Sequence, residues 1–256
     1  PKVWITKRFV FKVAVHPRAI RQLAREVAHA RRATSWTGYG AHVIEQRLWT
    51  PFVAVSAYRE PEADPAATAT AMIALVRVGL GELHRAPRTC ARELLEGHRV
   101  ALHIERCVPR DLYVRYRRSL DSGFFAFPVP RTPMHGDFAP QNTLLHRRRL
   151  YLLDWEYASD GGSLLYDAWF LRRSLLRSDR WHTLPEADVT RYLEDLEHAL
   201  HAVSLRSDQF DAFGHAVHAL VDFSRHELRG SDVQVLAHGV REIERLVEEA
   251  ETGGCP

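Results

Sequence analysis

Alternating and helical patterns of apolar residues divide this chain into a strand-rich beginning and a long helical remainder. Val3-Trp4-Ile5-Thr6 and Phe9-Val10-Phe11-Lys12-Val13 are β-branched and aromatic runs separated by Lys7-Arg8, the pattern of a short hairpin. From Pro17 onward Ile20, Leu23, Val27 and Ala30 recur at helical spacing, with Pro at the first turn and Glu26 beside the apolar stripe. Residues 42–49 and 52–57 read as two further strands, broken at Thr50-Pro51. The polar stretch from Tyr58 to Pro65, punctuated by Pro61 and Pro65, reads as a connector.

After the connector the pattern predicts helices over 66–84, 89–107 and 110–120, the last ending at Asp121-Ser122-Gly123. The three prolines between Phe124 and Pro133 favour an extended segment. Thr143-Leu144-Leu145-His146 and Leu150-Tyr151-Leu152-Leu153 flank an arginine turn and form a second hairpin. Four helices should complete the chain. One opens at a Ser163 N-cap and runs to about 176, and one opens at the capping-box pattern Thr183-Leu184-Pro185-Glu186. The last two cover 208–228 and 232–251. A small β-rich part followed by a large helical part gives an α+β, two-lobed architecture, with lobes at 1–60 and 61–256.

Composition narrows the classes of function. With 256 residues and 46% hydrophobic content the chain can bury a substantial core. A net charge of +3, with arginines spread along the chain, is too weak a footprint for nucleic acid. Cys90, Cys107 and Cys255 have no CxxC spacing, which suits reduced thiols in a cytoplasmic protein better than disulfides or a zinc site. The longest apolar run, 66–80, is interrupted by Arg77 and is expected to fall short of a membrane span. The chain begins at Pro1, already within a predicted strand, so a start further upstream is expected.

Candidate chemistry concentrates in Met134-His135-Gly136-Asp137-Phe138-Ala139-Pro140-Gln141-Asn142 and in Leu153-Asp154-Trp155-Glu156. Asp137 and Asn142, five apart before an apolar strand, share one tight loop, and the hairpin should return Asp154 to the side of Asn142. A carboxylate near an acceptor hydroxyl together with two oxygen ligands for Mg²⁺ is what transfer of the γ-phosphoryl of ATP requires. Lys12 adds to the pattern. The chain's only lysines are Lys2, Lys7 and Lys12, and a strand lysine followed by a helix glutamate, Glu26, is the ion pair that points an ammonium at phosphates.

Taken together, these residues and Asp167, which follows a glycine-containing turn, resemble the aminoglycoside phosphotransferase and choline kinase family, small-molecule relatives of the protein kinases. The resemblance spans residues 12–167, and Asn142 is the chain's only asparagine. It implies a protein kinase-like fold with ATP and Mg²⁺ as cofactors. Asp137 would be the catalytic base or hydroxyl-orienting residue, Asn142 and Asp154 the metal ligands, and Lys12 the phosphate contact held by Glu26. His135 and Asp167 would brace the loop, and adenine would sit near Ala57 and Tyr58. The family's phosphate-covering loop has no counterpart here, since Gly38 and Gly40 follow the Glu26 helix. That departure keeps a non-catalytic nucleotide-binding protein as the alternative. The DFG and APE patterns of protein-serine kinases are absent.

The acceptor is expected to be a small molecule: an aminoglycoside, choline or ethanolamine, thiamine, or a sugar-like alcohol. Asp154, Glu156, Asp160 and Asp167 fall in a stretch without basic residues and suggest a cationic substrate. Trp155, Tyr157, Tyr166, Trp169 and Trp181 could build an aromatic box, although core packing is their commoner fate. His198 with His201 and His215 with His218 read as helix-surface pairs.

Overall fold

The computed structural model describes residues 1–98, 101–177, 185–229 and 233–252. It is an α+β, two-lobed structure. Strands β1 (Lys2–Ile5), β2 (Phe9–Val13), β3 (Gln46–Thr50) and β4 (Val53–Ala57) form an antiparallel sheet in the order β1-β2-β4-β3. The Thr6 hydroxyl closes the first turn, donating to Phe9 O and accepting from Phe9 N. Helix α1 (Pro17–Ala33) starts at His16, whose side chain accepts from Ala19 N, with Pro17 at a position that needs no amide donor. Its Ala19, Leu23 and Val27 pack with Ala14 and Ala54 into a small core between helix and sheet.

Asp64 caps α2 (Pro65–Glu82), accepting from Ala67 N at 2.9 Å. Among the described residues Pro65–Arg85 is the one helix long and apolar enough to cross a membrane. Here it serves the core instead: Ala69, Met72, Ile73, Val76 and Leu80 are buried, and Arg77 pairs with Asp195. The helix predicted over 89–107 is divided. Strand β5 (Arg88–Cys90) pairs with β6 (Pro128–Pro130), and α3 (Ala91–Glu96) ends at Gly97 before α4 (Ala101–Cys107). Pairing with the proline-rich segment takes the first residues, and α3 closes where Gly97 N donates back to Glu93 O. Likewise the strand expected over 42–49 begins only at Gln46; Gly40–His42 is a 3-10 turn, and Val43 bridges Leu152.

The remaining elements are α5 (Arg110–Asp121), β7 (Thr143–His146), β8 (Arg149–Leu152), α6 (Leu164–Arg177), α7 (Glu186–Ala202), α8 (Ser207–Arg229) and α9 (Val233–Thr252). Ser163 caps α6 as expected, its hydroxyl accepting from Leu165 N, whereas the Thr183 cap lies outside the described residues. Trp155, Tyr157, Tyr166 and Trp169 are all buried in the large core, so four of the five aromatics considered for a substrate box are packing residues. Trp181 lies outside the described residues. The approach of α8 to the Trp169 indole depends on Gly214, where a Cβ would sit 2.2 Å from the ring. Histidines follow two rules: His198 and His201 are exposed, as expected, but His215 and His218 are buried, each in contact with an aromatic ring or an acid of another helix.

Candidate active site

The β7–β8 hairpin assembles the centre of the site. Its two-residue turn puts Arg147 and Arg148 at φ 51° and 60°, a conformation that costs a non-glycine residue about 1 kcal/mol or more. Arg148 N is held by the Glu62 carboxylate. Thr143 pairs with Leu152, and Leu153 N donates to Asn142 O at 2.8 Å, so the strands deliver Asp154 beside Asn142. Asp154 itself adopts φ 57°, ψ 62°, a left-handed turn into the 3-10 segment Trp155–Tyr157.

Lys12 lies on β2 opposite Ala54 and projects to this turn. Its Nζ is 2.6 Å from Glu26 Oε1 and 2.5 Å from Asp154 Oδ1, which joins the sheet, α1 and the β8 exit at one ammonium. Burial pulls the Lys12 pKa down, but the two carboxylates outweigh it and the net direction is upward. Glu26 is buried and also accepts from Gln46 Nε2 at 3.1 Å. Burial pushes its pKa up, against the pull of Lys12.

The loop carrying Asp137 is held from beneath by Asp167. Asp167 is fully buried and accepts from His135 N at 2.7 Å, Gly136 N at 3.0 Å and Tyr39 OH at 2.5 Å. Burial raises its pKa, opposed by His135, the Tyr39 hydroxyl and the two amides. His135 Nδ1 accepts from Asp137 N, which leaves Nε2–H to donate to Leu153 O at 2.7 Å. One imidazole therefore ties the loop to the strand that leads into Asp154. Gly136 is needed at φ 82°, and a Cβ there would meet Tyr157 O at 2.5 Å. Asn142 Nδ2 donates to Asp137 O at 3.0 Å, which leaves Oδ1 as the atom able to meet a cation.

Arg225, on α8, had no signal in the sequence. Its Nη2 lies 2.5 Å from Asp137 Oδ1 and its Nη1 3.0 Å from the buried Asp222, with the guanidinium 5.3 Å from the Tyr157 ring centroid. His238 reaches the same Asp222 at 2.5 Å. Asp137 thus sits at one end of a charged chain running into the helical lobe.

Beside the loop is a cleft of about 1000 Å³ lined by Glu62, Asp64, Ala139, Gln141, Arg173 and His218, among others. Ala57 lines a separate, smaller cleft with Phe9, Arg47 and Tyr151, and Tyr58 N is donated to Arg8 O. The acidic stretch read as a cation-steering surface does not form one. Glu156 is buried against Gln22, Asp160 pairs with Arg32 and Asp167 lies under the loop, and Asp154, which faces the site, is paired with Lys12. The β1–β2 turn, Thr6-Lys7-Arg8, contains no glycine.

No protein-family model matches the sequence, and no curated protein matches it. Solved structures do match. The macrolide 2'-phosphotransferase MphH of Brachybacterium faecium superposes with a TM-score of 0.52 at 15% identity, over 92% of this chain and 83% of that one. An ADP-bound aminoglycoside phosphotransferase, APH(2'')-Ib, gives 0.53 at 13% identity, over 96% and 88%. Choline kinase LicA from Streptococcus pneumoniae gives 0.51 at 14% identity, over 96% and 88%. The fold is that of small-molecule kinases. Within this kinase fold Lys12, Glu26, Asp137, Asn142 and Asp154 converge on one site, with His135 and Asp167 underneath it.

Proposed function

We propose that this chain is an ATP- and Mg²⁺-dependent phosphotransferase that transfers the γ-phosphoryl to a hydroxyl of a small molecule. The observation that carries the reading is the Lys12 ammonium shared by Glu26 and Asp154 beside the Asp137–Asn142 loop. Residues 1–60 form the nucleotide lobe in this reading and 61–256 the catalytic and acceptor lobe. Asn142 Oδ1 and the Asp154 carboxylate, the latter 43% exposed, are hard oxygen donors of the kind that hold Mg²⁺ with the help of phosphates and water. When bound, the ion neutralises phosphate charge. Lys12 contacts the α- and β-phosphates, Glu26 keeps it aimed, and Asp137 orients the acceptor hydroxyl and takes its proton. Adenine is assigned to the connector near Ala57 and Tyr58, and the acceptor to the cleft beside Ala139–Gln141. A cationic acceptor would meet Glu62 and Asp64 at that cleft's rim.

A panel of alcohols in a nucleotide-consumption assay tests the reading. Asp137→Asn is expected to lower turnover by about 10² to 10⁴ while Mg-ATP still binds, and Asp154→Ala to abolish Mg-ATP binding by calorimetry. Undiminished turnover in the first variant, or unchanged binding in the second, removes the assigned role. The pairing of Arg225 with Asp137 favours a second reading, a nucleotide-binding protein without transfer activity. Its signature is Mg-ATP binding with no consumption across the whole panel.

A further inference from the structure

The residue after Arg225 faces a different neighbour. His226 on α8 meets His103 and Cys107, which are four residues apart on α4 and so share one helix face. His103 Nε2 is 3.1 Å from His226 Nδ1 and 3.4 Å from Cys107 Sγ, and the three donor atoms all lie within 4.8 Å of one another. A tetrahedral zinc site with metal–nitrogen bonds of about 2.0–2.1 Å and a metal–sulfur bond of about 2.3 Å has N···N edges of about 3.3 Å and N···S edges of about 3.6 Å. The two separations here are within a few tenths of an ångström of those edges. All three side chains are half-buried, open enough for an ion to enter and enclosed enough to exclude most of its water.

We propose that His103, Cys107 and His226 bind a divalent transition-metal ion of the zinc class, tying α4 to α8 with a fourth coordination position open. Two imidazoles and a thiolate select such an ion over Mg²⁺, whose ligands in this chain would be oxygens. Binding forms a metal–sulfur bond and breaks the Cys107 S–H bond, with the proton passing to solvent. The hydrogen held between the two imidazoles shifts to a far ring nitrogen, freeing both facing lone pairs. A second cluster, His218, Asp222 and His238, is the poorer candidate because Asp222 is already neutralised by Arg225. Because α8 also carries Arg225, an ion at His226 would fix the helix that supplies the partner of Asp137. The inference does not depend on phosphotransfer.

Cobalt titration of the purified chain tests it. One equivalent of Co²⁺ should produce four-coordinate d–d bands and a thiolate-to-cobalt charge-transfer band, both lost on adding Zn²⁺. Cys107→Ser should abolish the charge-transfer band, and both Cys107→Ser and His226→Gln should weaken zinc binding by at least about 100-fold. Cys90→Ser should change neither. Absence of the band in the unmodified chain, or its persistence in Cys107→Ser, overturns the proposal. Should Cys107→Ser fail to fold, alkylation of the unmodified chain decides: Zn²⁺ must protect Cys107 selectively, and equal labelling of Cys107 with and without Zn²⁺ overturns the site.

Discussion

Replacing Asp167 with Asn tests whether the loop bearing Asp137 is held by hydrogen bonds from below. The carboxylate is fully buried and receives three donors: Tyr39 OH and His135 N on Oδ2, and Gly136 N on Oδ1. Two of them are backbone amides that cannot turn away. Asn offers one oxygen and one NH₂. Whichever way its amide is set, one backbone N–H faces another donor inside the core, at a cost of about 1–3 kcal/mol. Removing the buried charge relieves desolvation, the cause that raises the Asp167 pKa, and this offsets part of the loss. A net destabilisation of about 2 kcal/mol is expected by urea unfolding, or a fall in Tm of about 4–8 °C at this chain length. Hydrogen exchange at His135 and Gly136 should accelerate selectively. Tyr39→Phe removes only a rotatable donor and should cost about 1 kcal/mol, and the double variant should show a coupling of similar size. Stability unchanged within about 0.5 kcal/mol, with His135 and Gly136 still protected, would refute the assigned support.

Two further predictions rest on backbone geometry and on burial. Gly136→Ala combines a φ of 82° with a Cβ placed 2.5 Å from Tyr157 O, so it should destabilise by at least about 2 kcal/mol, whereas Gly81→Ala in α2 has open space and should stabilise by about 0.5–1 kcal/mol. Paired urea curves check the opposite signs. His218 has its pKa pulled to about 3, first by burial and then by Arg173 and Arg225. The unfolded chain therefore takes up a proton below its ordinary value of 6.5 while the folded chain does not, and stability falls as pH drops from about 6.5 towards 3. At pH 5 the expected loss is about 2 kcal/mol, at about 1.4 kcal/mol per pH unit, and His218→Gln should remove that part of the dependence. A pH-independent difference between the two proteins would contradict it.

What could be read from sequence was whatever chemistry repeats locally. The strand-favouring runs of β2 and β4, the Pro17 helix start and the Ser163 cap all depend on neighbours in sequence, and each formed close to where the pattern put it. The Asp137, Asn142 and Asp154 spacing was legible for the same reason, since a hairpin of fixed register converts a separation in sequence into one in space. Where a distant strand competes, local pattern misleads. Residues 88–90 have helical neighbours, but β6 offers backbone hydrogen bonds that a first helical turn would leave unmade. The acidic stretch failed differently. Its residues are charged, but Lys12, Gln22, Arg32 and the loop amides, none of them adjacent in sequence, engage all four of its carboxylates.

Arg225 marks the limit of that approach and also explains why the limit falls there. One arginine in a helix of ordinary amphipathic pattern carries no local signal, yet its guanidinium joins Asp137, Asp222 and the Tyr157 face. Two buried acids converging from different elements require a cation between them, because an uncompensated buried charge costs about 3–5 kcal/mol. Only the packing of α8 against the loop decides which of the chain's many arginines fills the position. The same packing aims His226 at α4, so the helix that the sequence describes least well connects the proposed phosphotransfer residues to the proposed metal site.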